Sequence, residues 1–152
     1  MKPTLSFIES VKICFNKYAN FSGRARRSEY WWFYLLTCIP GWILGIMTKI
    51  KLGKVDELTN MAMTNYNEAM AQAQSFDTIF YIVSGICGLL ALLLLIPSIS
   101  SMARRLHDVG KSGHWIWCVL LCGIGIVIPL IMCIPDGKPE PNQYGPSPKY
   151  GE

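Results

Sequence analysis

The amino-acid sequence predicts an all-α integral membrane protein, a helical bundle with three transmembrane helices plus an N-terminal amphipathic interfacial helix. Three apolar stretches carry this reading: Tyr30 to Met47, Ile79 to Met102 and His114 to Ile134. A span needs ~20 mostly apolar residues to cross ~30 Å of hydrocarbon. The second and third stretches meet that length with no Asp, Glu, Lys or Arg inside. Composition agrees, since 51% of residues are hydrophobic and 16% are charged, against ~25% charged in soluble domains. The placement of charge is the third observation. Arg24, Arg26 and Arg27 give way to Tyr30, Trp31, Trp32, Phe33 and Tyr34, a basic collar followed by an aromatic belt.

All 152 residues read as a single membrane domain, 1–152. Residues 4–20 form the interfacial helix, with Leu5, Ile8, Val11, Phe15 and Tyr18 at three- and four-residue spacing and Glu9, Lys12 and Lys17 elsewhere on the wheel. Ser22 is the expected N-cap of the next helix. Span 1 covers 24–47, with a kink at Pro40-Gly41; Gly41 and Gly45 make G-x-x-x-G, a face for a homo-oligomer. Residues 48–78 read as a long loop containing one short, weakly amphipathic helix along Ala62, Tyr66, Ala69, Ala73 and Phe76. Span 2 and its extension cover 79–108, stopped by Gly110. Span 3 covers 113–134, and 135–152 is a Pro- and Gly-rich capping tail.

Lys and Arg near the span ends set topology. Three spans put nine on the side of the N-terminus and the 104–111 loop and five on the other. This predicts a cytoplasmic N-terminus and a tail on the opposite side. No segment has the pattern of a cleaved signal peptide.

The net charge of +4 gathers at span ends, which points to the membrane surface rather than nucleic acid. The bundle brings Arg24, Arg26, Arg27, Glu29, Arg104, Arg105, His107, Asp108, Lys111 and His114 to one face. Two readings of that cluster stay open. In one, Glu29, His107 and Asp108 form a structural ion-pair cluster with the arginines, because ionisable groups at membrane depth must pair. In the other, Arg24, Arg26, Arg27, Arg104, Arg105 and Lys111 bind an anionic phospholipid headgroup through guanidinium forks. Catalysis has little support. His107 and Asp108 diverge by ~100° on a helix, and no Walker loop, G-x-S-x-G or H-E-x-x-H is present. No metal or cofactor set appears: Cys118 and Cys122 share a helix face, but no acid within the span completes them. The alternatives to a non-enzymatic lipid- or partner-binding module are an oligomeric transporter or channel subunit and a headgroup-level enzyme using His107 and Asp108.

The segments FSGRARRSEYWWF, ARRLHDVGKSGHW and PNQYGPSP, in that order, resemble the YhaH-like small bacterial inner-membrane proteins of the domain of unknown function 805 family. The resemblance runs from Tyr18 to Pro148. It implies a compact multi-span membrane protein and brings no established activity, substrate or cofactor.

Overall fold

A computed structural model describes residues 3–120 and 127–150, with the side chains of 119 and 120 excepted. Among the described residues the order is α1 (Phe7–Asn16), α2 (Arg27–Thr64), α3 (Tyr66–Asp108), a 3-10 helix (Gly113–Leu120) and α4 (Val127–Met132). No named strand occurs among the described residues, only an isolated bridge between Asn142 and Gly145. Two compact units divide the chain, one from 1–36 and 94–152 and one from 37–93.

The helix α1 starts where a capping box allows it. The Ser6 hydroxyl accepts from the Glu9 amide, and the Glu9 carboxylate accepts from the Ser6 amide at 2.8 Å. Its inner face buries Ser10 and Cys14, and Cys14 packs with Phe33 and Leu94. The outer face leaves Phe7, Ile8 and Phe15 exposed, with the Phe7 ring edge-on to Trp32 at 6.0 Å. The connection to α2 is tied to α3 by the Ser100 hydroxyl, which donates to the Lys17 and Asn20 carbonyls at 3.1 and 2.8 Å. Ser22 is not a cap, because α2 begins only at Arg27.

Two helices, α2 and α3, are long and apolar enough to cross a membrane. At 1.5 Å per residue they measure about 57 and 65 Å, roughly twice the ~30 Å hydrocarbon core. The excess corrects the expected loop at 48–78. The chain there continues both helices, broken only at Asn65, and forms a helical hairpin. Ala, Met, Gln, Lys and Glu are all good helix formers, so the stretch extends its neighbours instead of forming a separate element. Lys51 and Asp77 tie the arms at 2.6 Å, and the Lys51 ammonium lies 5.0 Å from the Phe80 ring centre. Pro40 and Pro97 both sit inside helices that run past them.

The third expected span differs most. Its described residues form an eight-residue 3-10 helix and the six-residue α4; 121–126 lie outside the described residues. Gly113 lies against His107 and Ala103 of α3. At the other end the Cys133 carbonyl accepts from Arg105 Nε at 3.2 Å. Ile116, Leu130 and Met132 pack on one cluster of Tyr30, Leu106 and Cys133. Both ends of the segment therefore meet the same turns of α3. Gly110 (φ +78°) makes the turn out of α3 possible. Its amide donates to the His107 carbonyl at 3.0 Å and the Lys111 amide to the Leu106 carbonyl at 2.9 Å, a Schellman closure that needs a left-handed residue.

Candidate functional site: a buried arginine–carboxylate knot

Three arginines that read as surface charge are buried. Arg24 is 6% exposed, and Arg104 and Arg105 are 0%. Buried charge is tolerated when it is paired, and the fold pairs all three with a carboxylate. Arg104 pairs with Glu29, linking α3 to α2. Arg24 Nε donates to Asp108 Oδ1 at 2.9 Å, while Arg105 pairs with Oδ2 of the same carboxylate. The Ala25 amide adds a backbone bond to the Arg104 carbonyl at 3.0 Å. Asp108 thus holds the strand of chain before α2 to the last turn of α3.

Two guanidinium groups on one carboxylate leave excess positive charge, and the tail answers it with carbonyls. Arg24 Nη1 donates to the Glu140 and Gly145 carbonyls at 2.9 and 3.3 Å, and Nη2 to the Lys138 carbonyl. Arg105 Nη2 donates to the Pro135 carbonyl. Arg26 Nε donates to the Pro148 carbonyl at 2.7 Å and Nη1 to the Pro3 carbonyl at 2.8 Å. A Pro-rich segment suits this role. It lacks the amides that would pair its own carbonyls in a helix or sheet, and arginine carries five donors in a fixed fork.

His107 belongs to the tail side of the knot. Its ring stacks on Tyr144 at 3.7 Å and 5°, its Nδ1 faces the Gly23 carbonyl at 3.2 Å, and its own carbonyl accepts from Asn142 Nδ2 at 2.9 Å. Gly137 passes so close to Asp108 that a Cβ there would overlap the carboxylate. Outside the knot, Asp136 accepts from Lys149 at 2.8 Å, a bond that holds its carboxyl below the usual carboxylate range.

The structure separates the residues that the sequence groups together. Glu29, Arg104, Arg24, Arg105 and Asp108 form the buried knot, and His107 flanks it. Arg26 is half-buried on the tail. Arg27 is half-exposed, 3.8 Å from Asp136. Lys111 is exposed, and His114 pairs locally with the Ser112 hydroxyl at 2.8 Å. The forks of Arg24, Arg104 and Arg105 point inward, so a headgroup would reach Arg24 or Arg105 only by displacing the tail. The Cys14 thiol faces the same interior; burial, with the Glu29 charge next, pushes it up to about 11. No group of three or more His, Cys, Asp and Glu side chains among the described residues is placed to hold a metal.

The tail carbonyls and Asp136 are the functional partners that sequence reasoning missed. The signal was present in PNQYGPSP, which supplies Asn142, Tyr144 and Gly145, but carbonyl acceptors leave no residue-type signature.

Comparison with known proteins fits this arrangement. Residues 18–146 match the family model described as "Protein of unknown function (DUF805)", a range that includes Arg24, Glu29, Arg104, Arg105 and Asp108. The chain is 32% identical over 134 residues to Inner membrane protein YhaI of Escherichia coli K12, covering 88% of this chain and 90% of that protein. It is 32% identical over 132 residues to Inner membrane protein YhaH of the same strain, covering 87% and 89%. No solved structure matches. The chain belongs to the DUF805 family of proteins of unknown function.

Proposed function

We propose that this chain is a non-enzymatic module of the bacterial inner membrane whose exposed basic rim binds anionic phospholipid headgroups, while the buried arginines serve the fold. The observation that carries this reading is the split in exposure. Arg24, Arg104 and Arg105 are buried, whereas Arg27 and Lys111 stay exposed, as do Trp32 and Trp115. Cations next to exposed tryptophans suit a headgroup layer. The relatives' names supply the inner membrane.

With two crossings, the N-terminus, the 104–111 segment and the tail share a face. Eleven of the fourteen Lys and Arg then lie on that face and three, Lys49, Lys51 and Lys54, on the other, which supports a cytoplasmic N-terminus and a cytoplasmic tail.

Each basic residue near an anionic leaflet contributes ~1 kcal/mol, so the Arg27→Gln/Lys111→Gln variant should retain roughly 30-fold less anionic lipid. Native mass spectrometry from mixed anionic and zwitterionic lipid measures this, with the melting temperature as a check on folding. Unchanged anionic adducts on the folded variant would contradict the lipid reading.

The second reading, a homo-oligomeric transporter or channel subunit assembled through Gly41 and Gly45, has one observation in its favour. A Cβ at either glycine would meet nothing within 4 Å of this chain, so that helix face has room for a close neighbour.

A further inference from the structure

The hairpin between 51 and 77 carries a feature that the arginine knot does not use. Its arms enclose a trough of about 380 Å³, within the ~300–1,000 Å³ range of small-molecule sites. Leu58 and Ala62 on α2 and Ala69, Ala73 and Phe76 on α3 form its apolar wall, and all five are buried or half-buried. Alanine at three of those positions opens the space between the arms.

The polar groups gather at one end. Lys51, Lys54 and Asp77 close the trough at the level where the apolar runs of both helices begin. Lys51 is neutralised by Asp77. Lys54 is exposed and makes no ion pair among the described residues. The trough therefore presents one uncompensated cation at the membrane border and a dry wall beyond it.

Its length and charge suit one class of occupant. From Lys51 to Ala62 the trough runs about 16 Å at 1.5 Å per residue. An extended alkyl chain can lie along its apolar wall, and a negative head at its end meets Lys54.

We propose that this trough binds an anionic amphiphile with a single alkyl chain, a fatty acid or a single-chain phosphate, with its head at Lys54 and its chain along Ala69 and Ala73. The test uses the full chain in zwitterionic nanodiscs and three C16 probes with a photoreactive chain: a carboxylate, a phosphate and an uncharged alcohol. We expect one or both anionic probes to label peptides from 55–76, with the alcohol at least about tenfold weaker. Labelling by the carboxylate alone assigns a fatty acid, by the phosphate alone a phospholipid product, and by both an unselective anion end. Reversing the cation in Lys54→Glu should lower anionic labelling about tenfold or more. Ala73→Trp should remove labelling with helicity unchanged, and Ala69→Leu provides a milder block should the tryptophan splay the arms. Equal labelling by the alcohol, labelling confined to 79–96, or full labelling of a folded Ala69→Leu protein would overturn the site.

Discussion

Replacing Asp108 with Ala should cost about 3–5 kcal/mol of stability, the range for removing one partner of a buried ion pair. The carboxylate holds Arg24 and Arg105 at once, and all three side chains are nearly fully buried. Removing it leaves two buried guanidinium groups facing each other without a counter-charge, so the loss falls at the upper end of the range. A fold equilibrium weakened roughly a thousandfold or more is expected, read as a lower unfolding midpoint in detergent or as protease sensitivity. Asp56→Ala is the control. Asp56 is exposed and in no ion pair among the described residues, so its change should stay within about 0.5 kcal/mol. Equal midpoints for the two variants would show that Asp108 holds nothing.

Truncation after Ile134 should be nearly as damaging, although it removes no membrane-crossing residue. It deletes the Pro135, Lys138, Glu140, Gly145 and Pro148 carbonyls that accept from Arg24, Arg26 and Arg105. It also deletes Tyr144 from the face of His107. A hydrogen bond to a charged group contributes ~1.5–3 kcal/mol. Water entering the vacated space replaces part of that, so we expect a net loss of about 3–5 kcal/mol. Gly137→Val reaches the same contact without shortening the chain. Its side chain must displace the Asp108 carboxylate or lift the tail, an overpacking cost of ~1–3 kcal/mol. Gln143→Ala, at an exposed tail position, should change little. Should the truncated protein melt like the full chain, the tail would be ornament and the arginines would need other partners.

The helical character of α1, α2 and α3 was legible, because hydrophobic period, caps and apolar run length are local properties. The Gly110 stop follows from nearest neighbours in sequence, and the Ser6–Glu9 capping box, though equally local, went unread while a cap was expected at Ser22. The gathering of Glu29, Arg104, Arg24, Arg105 and Asp108 at one face was legible too, since a helical bundle brings the start of α2 and the end of α3 together. Three things were not. The 48–78 stretch has too few apolar residues to read as membrane, yet its helix formers prolong α2 and α3. The apolar run 113–134 has the length of a span, but its described ends, Gly113 and Cys133, both contact α3 between Ala103 and His107. The direction in which an arginine points depends on acceptors far along the chain, and backbone carbonyls carry no mark in sequence.

The placement of the tail beside the N-terminal arginines tests the account most directly. Single cysteines at Lys12, Met63 and Tyr150, all exposed positions, can be probed with a membrane-impermeant thiol reagent. The experiment compares intact and permeabilised spheroplasts, with the native cysteines replaced. The account predicts that Lys12→Cys and Tyr150→Cys react only after permeabilisation, whereas Met63→Cys reacts in intact spheroplasts. Reaction of Tyr150→Cys from the same side as Met63→Cys, opposite Lys12→Cys, would put the tail across the bilayer from Arg24 and contradict the knot.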